Sequence, residues 1–263
     1  MTPAETFSLI VIFFFTSVVS VVTGSTSLIT VPVMLQLGIE PRVAVATNML
    51  ALVFMSLGGS LSFRSKNVID RHRAPLLIIL TLASSVLGAS ILLVIPSRTI
   101  PFIVAILMVA VASVSMIKPN ADVASPAGRQ ISTGMEITGY IVTFVLGVYG
   151  GFLSGGYVTL LTAAFALFFG MTFVQAVSTT KVVNVFSSLV ATAIFMWYGL
   201  VDYKLGILLG ITMFAGALIG GRLALRLNNL WIRRIFLTAV VFLALKILIY
   251  DLYLVFQIKG DLP

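Results

Sequence analysis

Two long uncharged runs dominate the pattern of apolar and polar positions along the chain. Residues 7–39 and 137–180 contain no Asp, Glu, Lys, Arg or His, apart from which only small hydroxyl and amide side chains interrupt the apolar ones. As a single helix the first run would measure about 50 Å, against a bilayer hydrocarbon core of about 30 Å. Each run must therefore break. In the first, "VVTGSTSLITVP" offers a permissive Gly24 followed by Ser25, Thr26 and Ser27, which can cap a helix that restarts after them. In the second, "GVYGGFLSGGYVT" sets five glycines within ten residues. The periodicity predicts paired helical pieces over 5–22 and 27–38, then full-length apolar helices over 43–63, 74–95 and 99–117. The same plan returns with pieces over 135–153 and 157–169 and helices over 174–198, 204–222 and 231–251. Between them "KPNADVASPAGRQISTG", residues 118–134, reads as a linker.

The two halves, 1–117 and 135–263, are related in sequence as well as in plan. A constant shift of 132 residues places Gly24 on Gly156, Leu28 on Leu160, Thr30 on Thr162 and Gly38 on Gly170. The same shift pairs Thr47 with Thr179, Ser56 with Ser188, Asp70 with Asp202 and Gly88 with Gly220. Apolar coincidences are cheap in such a chain, but Gly, Thr, Ser and Asp matches in one register are not. The pattern predicts an internal duplication.

Composition explains what those runs are for. The 263 residues are 60% hydrophobic and 9% charged, with a mean hydropathy of +1.17. Soluble domains carry roughly 25% charged residues. An all-α integral membrane protein, multi-pass and surrounded by lipid bilayer, is expected. "MTPAETF" lacks a basic n-region, so the first apolar segment is expected to be retained rather than cleaved. The absence of cysteine excludes thiolate nucleophiles, disulfides and thiolate metal sites, and a single histidine, His72, excludes a histidine cluster. No metal or other cofactor is expected, and the spans lack the catalytic dyads that an enzyme would need.

The net charge of +8 is not a nucleic-acid signature. Arg64, Lys66, Arg71, Arg73, Arg222, Arg226, Arg233 and Arg234 fall in short loops beside apolar segments, where they set topology. If each broken pair were one crossing, the loops at 64–73 and 222–234 would lie on opposite sides, against the positive-inside rule. If each pair enters and returns on one side, or both members span, the halves are inverted. Both arginine-rich loops and the linker are then cytoplasmic and both termini lie outside a bacterial-type inner membrane. The expected fold is thus two inverted-topology repeats, each a broken-helix hairpin plus three transmembrane helices.

Inverted repeats with broken helices build their binding sites where unwound backbone from both halves meets near the bilayer midplane. Helices restarting near Ser27 and Tyr157 would turn N-termini, with free N–H groups and partial positive charge, toward that centre, a ready site for a small oxyanion. Gly24, Gly155 and Gly156 would allow the breaks, and Ser25, Thr26, Ser27 and Ser154 would add neutral donors. In "AVSTTKVVN", Lys181 stands beside Thr179 and Thr180 and one turn from Asn184; Thr47 and Asn48 occupy the matching place in the first half. A lysine at mid-depth costs about 2.5 to 3.5 kcal/mol on insertion scales. No carboxylate lies deep in a span to neutralise it, and a bound anion would.

"GSTSLITVPVMLQLGIEPRVAVATNMLALVFMSLGGSLSFRSKNVID" and "AVSTTKVVNVFSSLVA" resemble the two signatures of the TauE/SafE sulfite and organosulfonate exporters, and the resemblance covers nearly the whole chain. It implies a permease that exports small sulfur oxyanions or sulfonates such as sulfoacetate. An anion channel, a proton-coupled permease for another anion and a non-transport scaffold are the alternatives, and a homodimer is left open.

Plainer readings stand beside these. The glycines of "GVYGGFLSGG" also suit close helix packing, and Asn48 and Asn184 suit interhelical hydrogen bonding. Lys181 could snorkel to an interface, as Lys246 near Asp251 is expected to do. Asp70 and Asp202 are expected to cap short turns, and His72 to be a solvated loop residue.

Overall fold

A computed structural model describes residues 1–24, 26–63, 69–106 and 131–224 of the chain. The expected helix at 231–251 with Lys246, most of the linker, Ser25 and parts of both arginine-rich loops lie outside the described residues. Among the described residues the fold is all-helical: α1 Pro3–Thr23, α2 Ser27–Gln36, α3 Pro41–Phe63, α4 Ala74–Val94, α5 Ser97–Ile106 with a 3-10 first turn, α6 Thr133–Phe152, α7 Tyr157–Phe169, α8 Phe173–Trp197 and α9 Tyr203–Ala224. Six of these, α1, α3, α4, α6, α8 and α9, are long and apolar enough to cross a membrane. Their outward faces carry Phe7, Phe15, Ile79, Ile141, Val145 and Ile211, large apolar side chains left for lipid to cover.

The boundaries follow local chemistry. Thr2 and Glu5 close a capping box ahead of Pro3 at the start of α1, and Thr172 and Gln175 close another at the start of α8. Ser132 caps α6 through Met135 N. Each run breaks where expected, and glycines related by the shift of 132 share a backbone conformation. Gly24 and its mate Gly156 hold φ of 73° and 78°, and Gly38 and its mate Gly170 hold 77° and 64°. These left-handed conformations suit a residue without Cβ.

Packing exchanges the halves. α1 of the first half lies on α9 of the second, and α6 of the second lies on α4 of the first. A shift of 132 residues carries α1 to α6 and α4 to α9, so the two contacts are images of each other. Gly88 lets the backbone of α6 approach at Val148, and its mate Gly220 lets that of α1 approach at Val18; a Cβ at either would strike a carbonyl oxygen. α3 and α8 pack together at the centre, with 78% of the α3 span buried against 28% for α1. Their directions follow from two matched hydrogen bonds. The Asp202 backbone N–H, just beyond α8, donates to Thr47 Oγ1 at 3.0 Å near the start of α3. The Asp70 N–H, beyond α3, donates to Thr179 Oγ1 at 3.2 Å near the start of α8. Each helix thus begins where the other ends, so α3 and α8 run antiparallel.

The turns at the ends behave as expected. Asp70 Oδ1 accepts from His72 N and Arg73 N, and Asp202 Oδ1 accepts from Leu205 N. His72 is exposed. One end carries an extra fastening: Arg73 reaches Glu136 at 2.8 Å and Asp70 at 3.1 Å, with its guanidinium 5.6 Å from the Phe169 ring. This ties the starts of α4 and α6 together.

Candidate functional site

The two breaks meet. A Cβ on Gly24 would run into the Val158 side chain and Thr159 N at the head of α7, and one on Gly155 would run into Leu28 at the head of α2. Each break is thereby seated on the helix that restarts in the other half. Around this junction lies a cavity lined by Gly24, Thr26 and Ser27 from the first break, Ser154 and Val158 from the second, Leu52 and Met55 from α3, and Lys181 and Asn184 from α8.

Neither α2 nor α7 receives a side-chain cap at its N-terminus. The expectation that Thr26 caps α2 is corrected here for a backbone reason. A capping side chain needs an extended backbone to fold back over N2 and N3, whereas Thr26 is itself helical at φ −52°, ψ −50°. Its hydroxyl donates instead to Met55 Sδ at 3.2 Å. Ser27 is not a cap either: its Oγ accepts from Asn48 Nδ2 at 2.9 Å. At the second break Gly156 is the residue preceding α7 and Ser154 holds φ 62°, uncommon for a residue with a side chain. The Gly155 carbonyl accepts from Tyr149 OH, which braces the loop.

Lys181 is 1% exposed, and no carboxylate forms an ion pair with it among the described residues. It sits about 12 Å along α8 from its start. Full burial sets aside the snorkelling reading for this residue. Asn184, 2% exposed and one turn on, donates through Nδ2 to Ser56 Oγ at 2.6 Å while its Oδ1 has no partner among the described residues. If the amide turned over, Ser56 could donate to the oxygen and the amide N–H groups would be freed. The pair therefore offers an ionisable amine and a convertible amide in a wall completed by the hydroxyl residues Thr26, Ser27 and Ser154 and the apolar Leu52, Met55 and Val158.

Gly24, Thr26, Ser27, Ser154, Lys181 and Asn184 are thus brought together at the cavity. Asn48 stands one hydrogen bond behind it, holding Ser27 and accepting from Thr30 at 2.7 Å. The equivalent place in the second half carries Thr162 donating to Thr180 at 3.4 Å. Gly155 and Gly156 shape the break without lining the cavity. Thr47 and Thr179 are turned away, each holding the loop that follows the other half's central helix. Sequence reasoning passed over Leu52, Met55 and Val158 as wall residues and Ser56 as the partner of Asn184. The shift of 132 held a signal for Leu52, the mate of Asn184, and for Ser56, the mate of Ser188; nothing local marked Met55 or Val158.

The cavity leaves about 10 Å³ to the centre of a water-sized sphere, the room of about one water.

The family model described as sulfite exporter TauE/SafE matches residues 9–247. A Sinorhizobium sp protein called probable membrane transporter protein ORF9 is 27% identical over 231 residues, 86% of each chain. A probable membrane transporter protein of Haemophilus influenzae is 27% identical over 218 residues, 81% of each chain. Probable membrane transporter protein YfcA of Escherichia coli K12 is 24% identical over 230 residues, 88% of this chain and 84% of the relative. No solved structure matches the chain at a significant level.

Proposed function

Because the chain belongs to the sulfite exporter TauE/SafE family of membrane transporters, we propose that its cargo is a small sulfur oxyanion or organosulfonate, exported across a bacterial inner membrane. The observation that carries this reading is the cavity where two uncapped helix N-termini meet a buried lysine that forms no ion pair among the described residues. Backbone N–H groups at a helix start attract anions through unsatisfied donors and partial positive charge. Lys181, when protonated, adds a full charge in surroundings of low dielectric, where the attraction is stronger than in water. The hydroxyls of Ser27 and Ser154 can orient oxygens without adding charge.

Two halves of inverted topology supply the means of movement. The antiparallel run of α3 and α8 and the exchanged pairing of α1 with α9 and α6 with α4 are what inverted halves would produce. The Thr47–Asp202 and Thr179–Asp70 bonds lie at opposite ends of this central pair. Releasing one while keeping the other would expose the cavity to one side at a time.

The test is flux of sulfite, sulfoacetate and other small anions in proteoliposomes of the purified protein. Saturable flux of a sulfur anion supports the reading. Unsaturable flux moves the protein to the channels, transport of other anions only removes the sulfur substrate, and no flux of any anion returns it to the scaffolds.

A further inference from the structure

Four of the six buried side-chain oxygens that lack a hydrogen bond among the described residues lie on α3 and α8, the other two being Ser20 Oγ on α1 and Tyr157 OH on α7. Among the described residues the fully buried side-chain oxygens that find no hydrogen bond include Asn184 Oδ1, Ser188 Oγ and Thr192 Oγ1 on α8, and Ser60 Oγ on α3. On a helix of 3.6 residues per turn, Lys181, Asn184, Ser188 and Thr192 fall within an arc of about 80°. They form one face. Asn184, Ser188 and Thr192 are 2%, 2% and 3% exposed, and from the first to the last the helix rises about 12 Å, nearly half the hydrocarbon thickness. Phe195, next on the same face and fully buried, ends the run.

Hydroxyls in membrane helices ordinarily avoid this cost by donating to the carbonyl one turn back. Elsewhere in this protein they do so. Thr143 donates to Gly139 O at 2.7 Å, Ser90 to Val86 O at 2.8 Å, Thr212 to Leu208 O at 2.8 Å and Ser62 to Gly58 O at 2.9 Å. Ser187, the neighbour of Ser188 on a different face, is paired with Ser85 at 2.6 Å. Ser188 and Thr192 are the α8 hydroxyls that, among the described residues, find no hydrogen-bond partner, and they continue the face that opens at Lys181 and Asn184 into the cavity. On α3 the corresponding positions are Leu52, which lines the cavity, Ser56, which binds Asn184, and Ser60, again unpartnered. Since α3 and α8 run antiparallel, the two runs lead from the cavity toward opposite ends of the molecule.

We propose that these faces are the walls of two half-pathways for a hydrated small anion, one along Asn184, Ser188 and Thr192 toward the end of α8, the other along Ser56 and Ser60 toward the end of α3. The proposal rests on the transport reading above. The hydroxyls are kept free of the backbone because they hydrogen-bond the anion and its water as it passes between cavity and surface. Neutral donors serve here, since a further fixed charge would trap the anion between sites.

Water access along the faces is measurable without knowing the cargo, because the chain contains no cysteine. Single variants Ser188→Cys, Thr192→Cys and Ser60→Cys, reconstituted in vesicles, are treated from each side with a membrane-impermeant, anionic thiol reagent. Ser188→Cys and Thr192→Cys should react from the side on which Lys204→Cys reacts, and Ser60→Cys from the side of His72→Cys. Rates should exceed those of the equally buried Val183→Cys and Ser187→Cys by about tenfold or more, the factor by which each unit of raised thiol pKa depletes the reactive thiolate in apolar surroundings. Equal rates at stripe and control positions overturn the proposal even where flux is intact. Reaction at the stripe in a protein that moves no sulfur anion keeps the pathways and removes only the cargo. As a second readout, Ser188→Ala and Thr192→Val should fold and slow anion flux about fivefold each, the worth of one neutral hydrogen bond. Unchanged flux in both would reduce the stripe to a packing feature.

Discussion

Replacing Lys181 by methionine removes the one buried charge of the cavity while keeping a stem of similar length. The structure supplies its own precedent, since Met49 holds the matching position on α3 and is fully buried there. Folding should therefore tolerate Lys181→Met, and insertion should gain by about 2.5 to 3.5 kcal/mol, the cost of a lysine at a helix centre. Binding should move the other way. A hydrogen bond to a charged group contributes about 1.5 to 3 kcal/mol, and each 1.36 kcal/mol is a factor of ten, so the half-saturating anion concentration should rise about 10- to 150-fold. Lys181→Arg should recover part of this, limited by a planar fork in a cavity sized for one water. The assay is the concentration dependence of initial flux in proteoliposomes, with thermal unfolding in detergent run alongside. An unaltered concentration dependence in a Lys181→Met protein that unfolds at the same or a higher temperature would refute the placement of the anion at this lysine.

Other outcomes can be stated briefly. His72→Cys and Asn228→Cys should be labelled by an impermeant thiol reagent from the cytoplasmic side and Lys204→Cys from outside; opposite labelling of His72→Cys and Asn228→Cys would remove the inverted relation of the halves. Export of a monovalent anion should follow a valinomycin-clamped potassium potential without any pH gradient, because 100 mV contributes about 2.3 kcal/mol per charge, roughly fiftyfold accumulation; flux that ignores the potential and follows pH instead would make the carrier proton-coupled. Gly24→Ala should lower the unfolding temperature and impair flux together, since φ 73° disfavours a side chain and the new methyl would press on Val158; a neutral result in both would show that the breaks do not depend on their contact. Asn48→Ala should cost about 1 to 3 kcal/mol of stability, since it removes the donor to the buried Ser27 hydroxyl and leaves the Thr30 hydroxyl only the Thr26 carbonyl, which urea unfolding in detergent micelles would measure.

Much of the architecture is fixed by local chemistry, which is why it could be read along the chain. An uncharged run longer than the bilayer has to break, and the break falls where Gly24 can take a left-handed backbone and where glycines gather around 147–156. Thr and Ser before apolar runs begin helices because their side chains can reach the first free N–H groups, as at Thr2, Ser132 and Thr172. The shift of 132 was legible because positions that take the same special backbone, such as Gly24 and Gly156 or Gly38 and Gly170, call for the same residue type. Lys181 drew attention because a charge costs energy wherever it lies along an apolar run. Contacts between residues far apart in the chain were not legible, because they depend on how the helices are set against one another. No local pattern says that Gly24 rests on Val158, that Met55 rather than the start of α2 takes the Thr26 hydroxyl, or that Thr47 and Thr179 serve the opposite half's loops rather than the cavity. The unpaired oxygens of Ser188 and Thr192 are likewise invisible in sequence, since a serine that bonds its own helix and one that faces a pathway are the same letter. Local propensity and hydropathy decided which residues are helical and where they break, and the exchange of halves around α3 and α8 decided which of them share a cavity.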